Sequence, residues 1–190
     1  MLLITSLACL SFPDRDVDRV DVAVTGAYIG PGLAPLPGEE TTKSWDGFDI
    51  PAEVFTALAT LAAEGVPLPN QVGEVLAQFN DFLTAPDPTG WGELNVGEDY
   101  GWAKDFDPED RNAFSVDFED LETWDNVPLT DDTRLRIHMS DRDWIEDDSI
   151  GVAVLNKADL VQAREEAQIH SIWVGDQTEF QLLFVRVEVW

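Results

Sequence analysis

The residues with the clearest chemical potential lie in the stretch LRIHMSDRDWIEDDSIGVAVL, residues 135–155. Within 141–148, Asp141, Asp143, Asp147 and Asp148 stand with Glu146, so eight positions carry five acids and one basic residue, Arg142. Hard divalent cations such as calcium take about six to eight oxygen ligands, commonly from several carboxylates. Two acids at i and i+2 on one edge of a loop can aim at the same hole, and a third returns from its far side. Gathered without a cation, these carboxylates would repel one another, and their pKa values would rise at a cost in stability. A second acidic run, DRDVDRVD, brings Asp14, Asp16, Asp18 and Asp21 together. Its D-x-D-x-D spacing suits a calcium loop. It is not an EF-hand, because Arg19 stands at the glycine position and Thr25 at that of the closing glutamate.

Positioning two such loops requires a framework, and the hydrophobic pattern is mostly that of strands. Leu2–Phe12 reads as a buried first strand, with Cys9 as a small core residue. Val20–Thr25 alternates as a second strand, and Tyr28–Gly38 has the Gly and Pro content of a loop. Residues 51–85 change character. PAEVFTALATLAAEG starts on Pro51 and stops at Gly65, and a second apolar stripe of Val72, Val75, Leu76, Phe79 and Leu83 predicts a helix from Gln71 to Thr84. Residues 51–85 are therefore expected to be a helical hairpin inserted between strands, packed on one edge of the domain. Pro86–Asp110 reads as irregular.

Strands resume near Ala113–Phe118 and clearly at Thr133–Ser140, where Leu135, Ile137 and Met139 alternate with Arg134, Arg136 and His138. Ile150–Leu155 is a further strand, and Asn156 is placed to cap a short helix through Ala167. A last hairpin pairs Ile169–Val174 with Phe180–Trp190 about a Gly175-Asp176 turn. The expected fold is mainly β: an antiparallel Greek-key β-sandwich of about eight strands, one domain over residues 1–190. In such sandwiches the loop after the first strand and a late loop often meet at one end, so 14–21 and 141–148 are expected to share one or two ions.

Composition narrows the function. The chain has 190 residues, with 11 Lys and Arg against 38 Asp and Glu, for a net charge of −27. So few cations cannot form the basic face that nucleic acid needs, which excludes direct nucleic-acid binding. A single Cys and two His exclude an intramolecular disulfide and cysteine- or histidine-rich metal sites. No run approaches the ~18 apolar residues of a membrane span. The N-terminal stretch lacks a basic start, so no export signal is expected and the cytoplasm is favoured.

No spacing among the acids singles out a catalytic acid–base pair, and neither His138 nor His170 suggests a Ser–His–Asp arrangement. GAYIGPG lacks the Lys and following helix of a phosphate loop. The chain is read as a non-enzyme. Trp91, Tyr100, Trp102 and Trp124 are candidates either for a sugar-stacking platform or for covers over the core.

The pattern of residues 135–155, an apolar strand, Asp-x-Asp, an aromatic tip, Asp-Asp, then Ile-Gly opening the next strand, resembles the third calcium-binding loop of C-two domains, the calcium- and lipid-binding β-sandwich modules. Asp141, Asp143 and Asp148 match that loop's three ligands, Ile150-Gly151 matches the strand restart, and VAVLNKADL matches the strand and short turn that follow. DRDVDRVD stands where the family's first loop supplies two more aspartates. The Ser-Asp-Pro-Tyr signature after that loop is absent, the third loop is one residue short, and the helical hairpin is no feature of the family. The resemblance covers about 60 residues and is nearest to divergent bacterial members.

The resemblance implies that Trp144 and Ile145 form a loop tip that dips into a lipid interface while calcium bridges to anionic headgroups. The expected function is a calcium-binding β-sandwich module that engages an anionic membrane or a protein partner through its acidic loop end. One alternative is a glycan-binding or structural module whose loops calcium rigidifies. Another is a metal-free acidic interaction protein, a mimic of nucleic acid.

Overall fold

A computed structural model describes residues 18–45, 47–79, 83–97, 99–108, 113–119, 123–142, 148–166 and 169–190. The expected first strand and Cys9 lie outside the described residues. Of the rest, most of the apolar alternation becomes antiparallel β-structure.

β1 (Arg19–Ile29) is the spine of one sheet. On one side it pairs with β11 (Leu182–Val189), whose other edge carries β10 (His170–Trp173). Along its other side, β7 (Thr123–Pro128) takes the first half and β6 (Ser115–Glu119) the second. The second sheet has the order β5-β4-β8-β9, from β4 (Pro88–Val96), β5 (Asp99–Pro108), β8 (Thr133–Asp141) and β9 (Asp148–Asn156). A short β5–β6 pairing at Asp107–Glu119 and Pro108–Phe118 joins the sheets at one corner. The result is an antiparallel β-sandwich with nine strands in its continuous sheet among the described residues. β2 (Thr41–Lys43) and β3 (Asp49–Pro51) form a separate ribbon, near which Trp45 is buried with Nε1 donating to the Gly30 carbonyl at 2.9 Å.

Strand alternation builds the core. In β8, Leu135, Ile137 and Met139 point inward with Thr133 and Asp141, while Arg134, Arg136 and His138 point outward. They meet Val22 and Val24 of β1, Val185 and Val187 of β11, and Ile150, Ala153 and Leu155 of β9 in one cluster. Helix α3 (Lys157–Glu166) closes one end through Leu160 and Ala163. Its cap is reciprocal: Asn156 Oδ1 accepts the Ala158 N–H and Asp159 Oδ2 accepts the Asn156 N–H, each at 2.8 Å.

α1 (Glu53–Ala63) and α2 (Pro69–Ala77) form the expected hairpin. It lies on the outer face of the first sheet, where Leu58 and Val72 pack on Leu183 and Phe184. α2 stops at Ala77, earlier than its apolar stripe suggests; Phe79 and Leu83 continue outside the helix and pack toward Ile50, Val54 and Phe55.

Two expectations fail. Pro86–Asp110 is not irregular but contains the β4–β5 hairpin. Glycine at positions 90 and 92 hides the strand signal, yet both are required by packing. A Cβ on Gly92 would lie 2.7 Å from the Phe106 and Trp124 rings, and one on Gly90 would enter the His138 carbonyl. The last hairpin also turns later than expected. Its connection contains a single 3-10 turn at Gly175–Gln177, and Glu179 and Phe180 both take left-handed φ, 52° and 66°. The buried Thr178 hydroxyl holds this reversal by accepting the Leu182 N–H at 3.1 Å, so β11 begins at Leu182. Phe180 then turns toward Trp173 and the helical hairpin.

Candidate functional site

Alternation along β8 turns Asp141 inward at the root of the 141–148 loop, and it is 3% exposed. Its Oδ1 accepts the Asp87 N–H at 2.6 Å. The next residue completes the clasp: the Arg142 N–H donates to the Asp87 carbonyl at 2.8 Å, and its guanidinium donates to Thr89 Oγ1 at 3.1 Å. Asp148 opens β9 directly across the ladder from Asp141 and is partly exposed. Asp143, Trp144, Ile145 and Asp147 lie outside the described residues. One pole therefore sets Asp141 opposite Asp148, with the Asp87 main chain hydrogen-bonded to the Asp141 carboxylate and the Arg142 N–H.

The described acids of the first run, Asp18 and Asp21, lie elsewhere. Asp14 and Asp16 lie outside the described residues, but Asp18 and Asp21 are placed. The Asp18 carbonyl accepts the Leu129 N–H at 2.8 Å, and its carboxylate pairs with Arg164 of α3 at 2.5 Å. Asp21 is a strand residue of β1, not a loop residue; its Oδ1 accepts the Asn126 N–H at 2.6 Å. That contact, with the Arg19 guanidinium on the Asn126 carbonyl at 2.8 Å, holds Asn126 at its positive φ of 57°.

Leu129 leads into the turn where the Thr130 N–H donates to Thr133 Oγ1 at 2.9 Å, and Thr133 begins β8. β8 then runs to Asp141, about 27 Å at ~3.4 Å per residue. Asp18 and Asp21 thus belong to the Thr133 end and Asp141 to the opposite pole. The expected convergence of 14–21 with 141–148 is corrected for these two residues. β1 ends at Ile29 on the Asp141 side, where the Ile29 N–H reaches the Phe114 carbonyl and the Ala113 N–H reaches the Pro86 carbonyl. Among the described residues, the segment that meets Asp141 and Arg142 at the loop's root is accordingly the tail of the long β1–β4 connection.

Asp87 is the residue that sequence reasoning missed. Its signal was present in Pro86-Asp87-Pro88, two prolines framing an acid at a strand start, but its neighbour is 54 positions away. Among the described residues no three His, Cys, Asp or Glu side chains gather to hold a metal ion.

The remaining candidates separate. Trp124 is buried, sits edge-on to Phe106 and lies beneath the Lys104 ammonium, so it is a core residue and no sugar platform. The Tyr100 and Trp102 side chains lie outside the described residues. Trp91 is 37% exposed on the outer sheet face, stacked on His138 with ring centroids 3.8 Å apart and planes within 8°. Burial, and then the neighbouring Arg136, lower the His138 pKa below 6.5 against the opposing pull of Glu93. His170 Nδ1 pairs with Glu166 at 2.7 Å. No described helix is long and apolar enough to cross a membrane.

No family model and no curated protein matches the chain. Solved structures similar to it include the C-two A domain of a plant extended synaptotagmin 1, with 12% identity over 93% of this chain and 95% of that one, at a TM-score of 0.41. A structure holding the C-two A and B domains of extended synaptotagmin 2 is 14% identical over 100% of this chain and 46% of that one, at 0.45. Its calcium-bound form matches 94% of this chain and 47% of that one, with 14% identity and a TM-score of 0.41.

Proposed function

We propose that this chain is a non-catalytic binding module that takes calcium at the Asp141 pole and uses it to engage an anionic membrane surface. The observation that carries the reading is the placement of Asp141. A carboxylate 3% exposed stands at the root of a loop holding three further acids, with Asp148 across the ladder. The candidate ligands are Asp141 and Asp148, with Asp143 and Asp147 of the loop between them; Asp87 is the acid brought in from the other connection. Bound cations reverse the local sign of a surface whose net charge is −27, which lets it approach anionic headgroups. Trp144 and Ile145, set among these acids, are the apolar residues that would enter the interface.

Calcium titration monitored by thermal melting and vesicle sedimentation tests the reading. Calcium at about 100-fold above its dissociation constant should stabilise the chain by about 2.7 kcal/mol. Phosphatidylserine vesicles should pull down the protein with calcium and release it in chelator. Asp143→Ala with Asp148→Ala should abolish both effects, while Trp144→Ala should lose only the vesicles. No change in melting at millimolar calcium rejects the metal. Calcium binding without vesicle binding redirects the pole to a protein partner.

One observation favours the metal-free acidic reading instead. Asp141 already receives a main-chain N–H, and that bond stabilises its carboxylate without a cation. An unchanged melting temperature in calcium selects that alternative.

A further inference from the structure

Among the described residues the main strand path ends in two edge strands, β9 and β10, and β7 pairs with β1 alone. An edge strand presents unpaired main-chain groups that a protein either covers or offers to another chain. β9 is covered at Val154, where the Gln177 side-chain amide accepts the N–H at 2.8 Å and donates to the carbonyl at 3.4 Å. β10 has no comparable cover among the described residues. The Val174 N–H donates to the Leu183 carbonyl at 2.9 Å, and the β10–β11 register is unbroken. Alternation in the ladder therefore turns Ile172 and His170 toward β11 and leaves the N–H and carbonyl groups of Ser171 and Trp173 facing outward.

A groove of about 440 Å³ runs along this edge and is lined by all four residues of β10. Because side chains alternate between faces, a cavity touching four consecutive residues meets the strand edge-on. Its two walls differ in chemistry. The α1–α2 connection supplies Val66 and Leu68, which are 78% and 58% exposed, on the side where Trp173 packs with the hairpin. The other wall is α3, with Asp159, Gln162 and Glu166, on the side where Ile172 meets Leu160 and Ala163.

We propose that β10 is a strand-addition site for an extended peptide of another protein in which apolar residues alternate with Lys or Arg. Main-chain pairing to Ser171 and Trp173 extends the sheet. One set of alternate side chains then covers Val66 and Leu68, and the other places cations beside Asp159 and Glu166. The net charge of −27 attracts such a segment and repels a second copy of this chain, whose own α3 acids would meet these across the edge.

The probe is a nine-residue peptide alternating Lys and Val, titrated by calorimetry into the full chain in chelator, which removes any contribution from a calcium site. Binding should slow amide exchange at Ser171 and Trp173. Ser171→Pro removes an outward N–H without breaking a ladder bond and should weaken binding about tenfold, close to 1.4 kcal/mol. Gln162→Lys leaves the strand intact, adds a cation to the acidic wall and should weaken it about threefold, which keeps the test decisive if the proline variant misfolds. A Glu–Val peptide should not bind. Equal binding by a Lys–Val peptide N-methylated at alternate positions overturns the proposal, as does an absence of binding at millimolar peptide. A dimer in sedimentation velocity that Ser171→Pro dissociates also overturns it, because a second copy would then hold the edge.

Discussion

On the outer face of the second sheet, His138 stacks on an aromatic plane and shares that face with a cation. Its ring lies flat against Trp91, its Nε2 is buried without a hydrogen-bond partner among the described residues, and Arg136 is two residues away on the same face. Burial and the guanidinium both disfavour imidazolium, so the folded pKa falls below 6.5. The folded state then binds this proton less readily than the unfolded chain. The contribution to stability is present above pH 6.5 and is lost as pH falls through the folded pKa. Urea denaturation of the chain and of His138→Gln should show a stability difference that shrinks from pH 7.5 toward pH 5. A difference that grows on acidification would mean that the Trp91 face and Glu93 stabilise the imidazolium more than burial penalises it.

Among the elements, β4 has the least strand-like sequence, and its neighbours impose its form. It pairs with β5 on one side and along its full length with β8 on the other, so its main-chain groups are taken up from both sides. Gly92 faces inward beneath Phe106 and Trp124, which touch edge-on at 6.3 Å between centroids. Both rings are buried and have little room to yield. Gly92→Ala should therefore destabilise the chain by about 1–3 kcal/mol in chemical denaturation, although alanine suits a strand at least as well as glycine. An unchanged midpoint would show that the rings repack freely. The cost should appear in stability alone, leaving any calcium affinity at the Asp141 pole intact.

For the whole molecule, charge opposes compactness. The surface carries −27, and the described ion pairs, such as Lys157–Asp131 at 3.1 Å and Arg164–Asp18 at 2.5 Å, are exposed enough that each contributes under about 1 kcal/mol. Screening the repulsion among 38 acids should outweigh the loss of these few attractions. The melting temperature is expected to rise between 20 mM and 1 M sodium chloride in the presence of chelator. A fall would place the balance with the ion pairs and would weaken the picture of a self-repelling surface.

Much of the architecture could be read from local pattern. Period-two alternation in 133–140, the Asn156 cap, the first helical stripe and the start of the second, Val72 to Leu76, each concern residues a few positions apart, and each survives in the folded chain. β4 could not be read this way, because Gly92 beneath rings from β5 and β7 and Gly90 against the β8 main chain look like loop residues in isolation. The site divides along the same line. Spacing marked Asp141 and Asp143 on one edge of a loop with a further acid returning from its far side, the resemblance singled out Asp148, and the strand ladder sets Asp148 opposite Asp141. Which other acids join them depended on the direction in which β1 crosses the sandwich. That crossing sent Asp18 and Asp21 to the far end and brought Asp87 to the Asp141 carboxylate, because strand direction in a sheet is set by pairing between distant segments and leaves no local mark on the residues themselves.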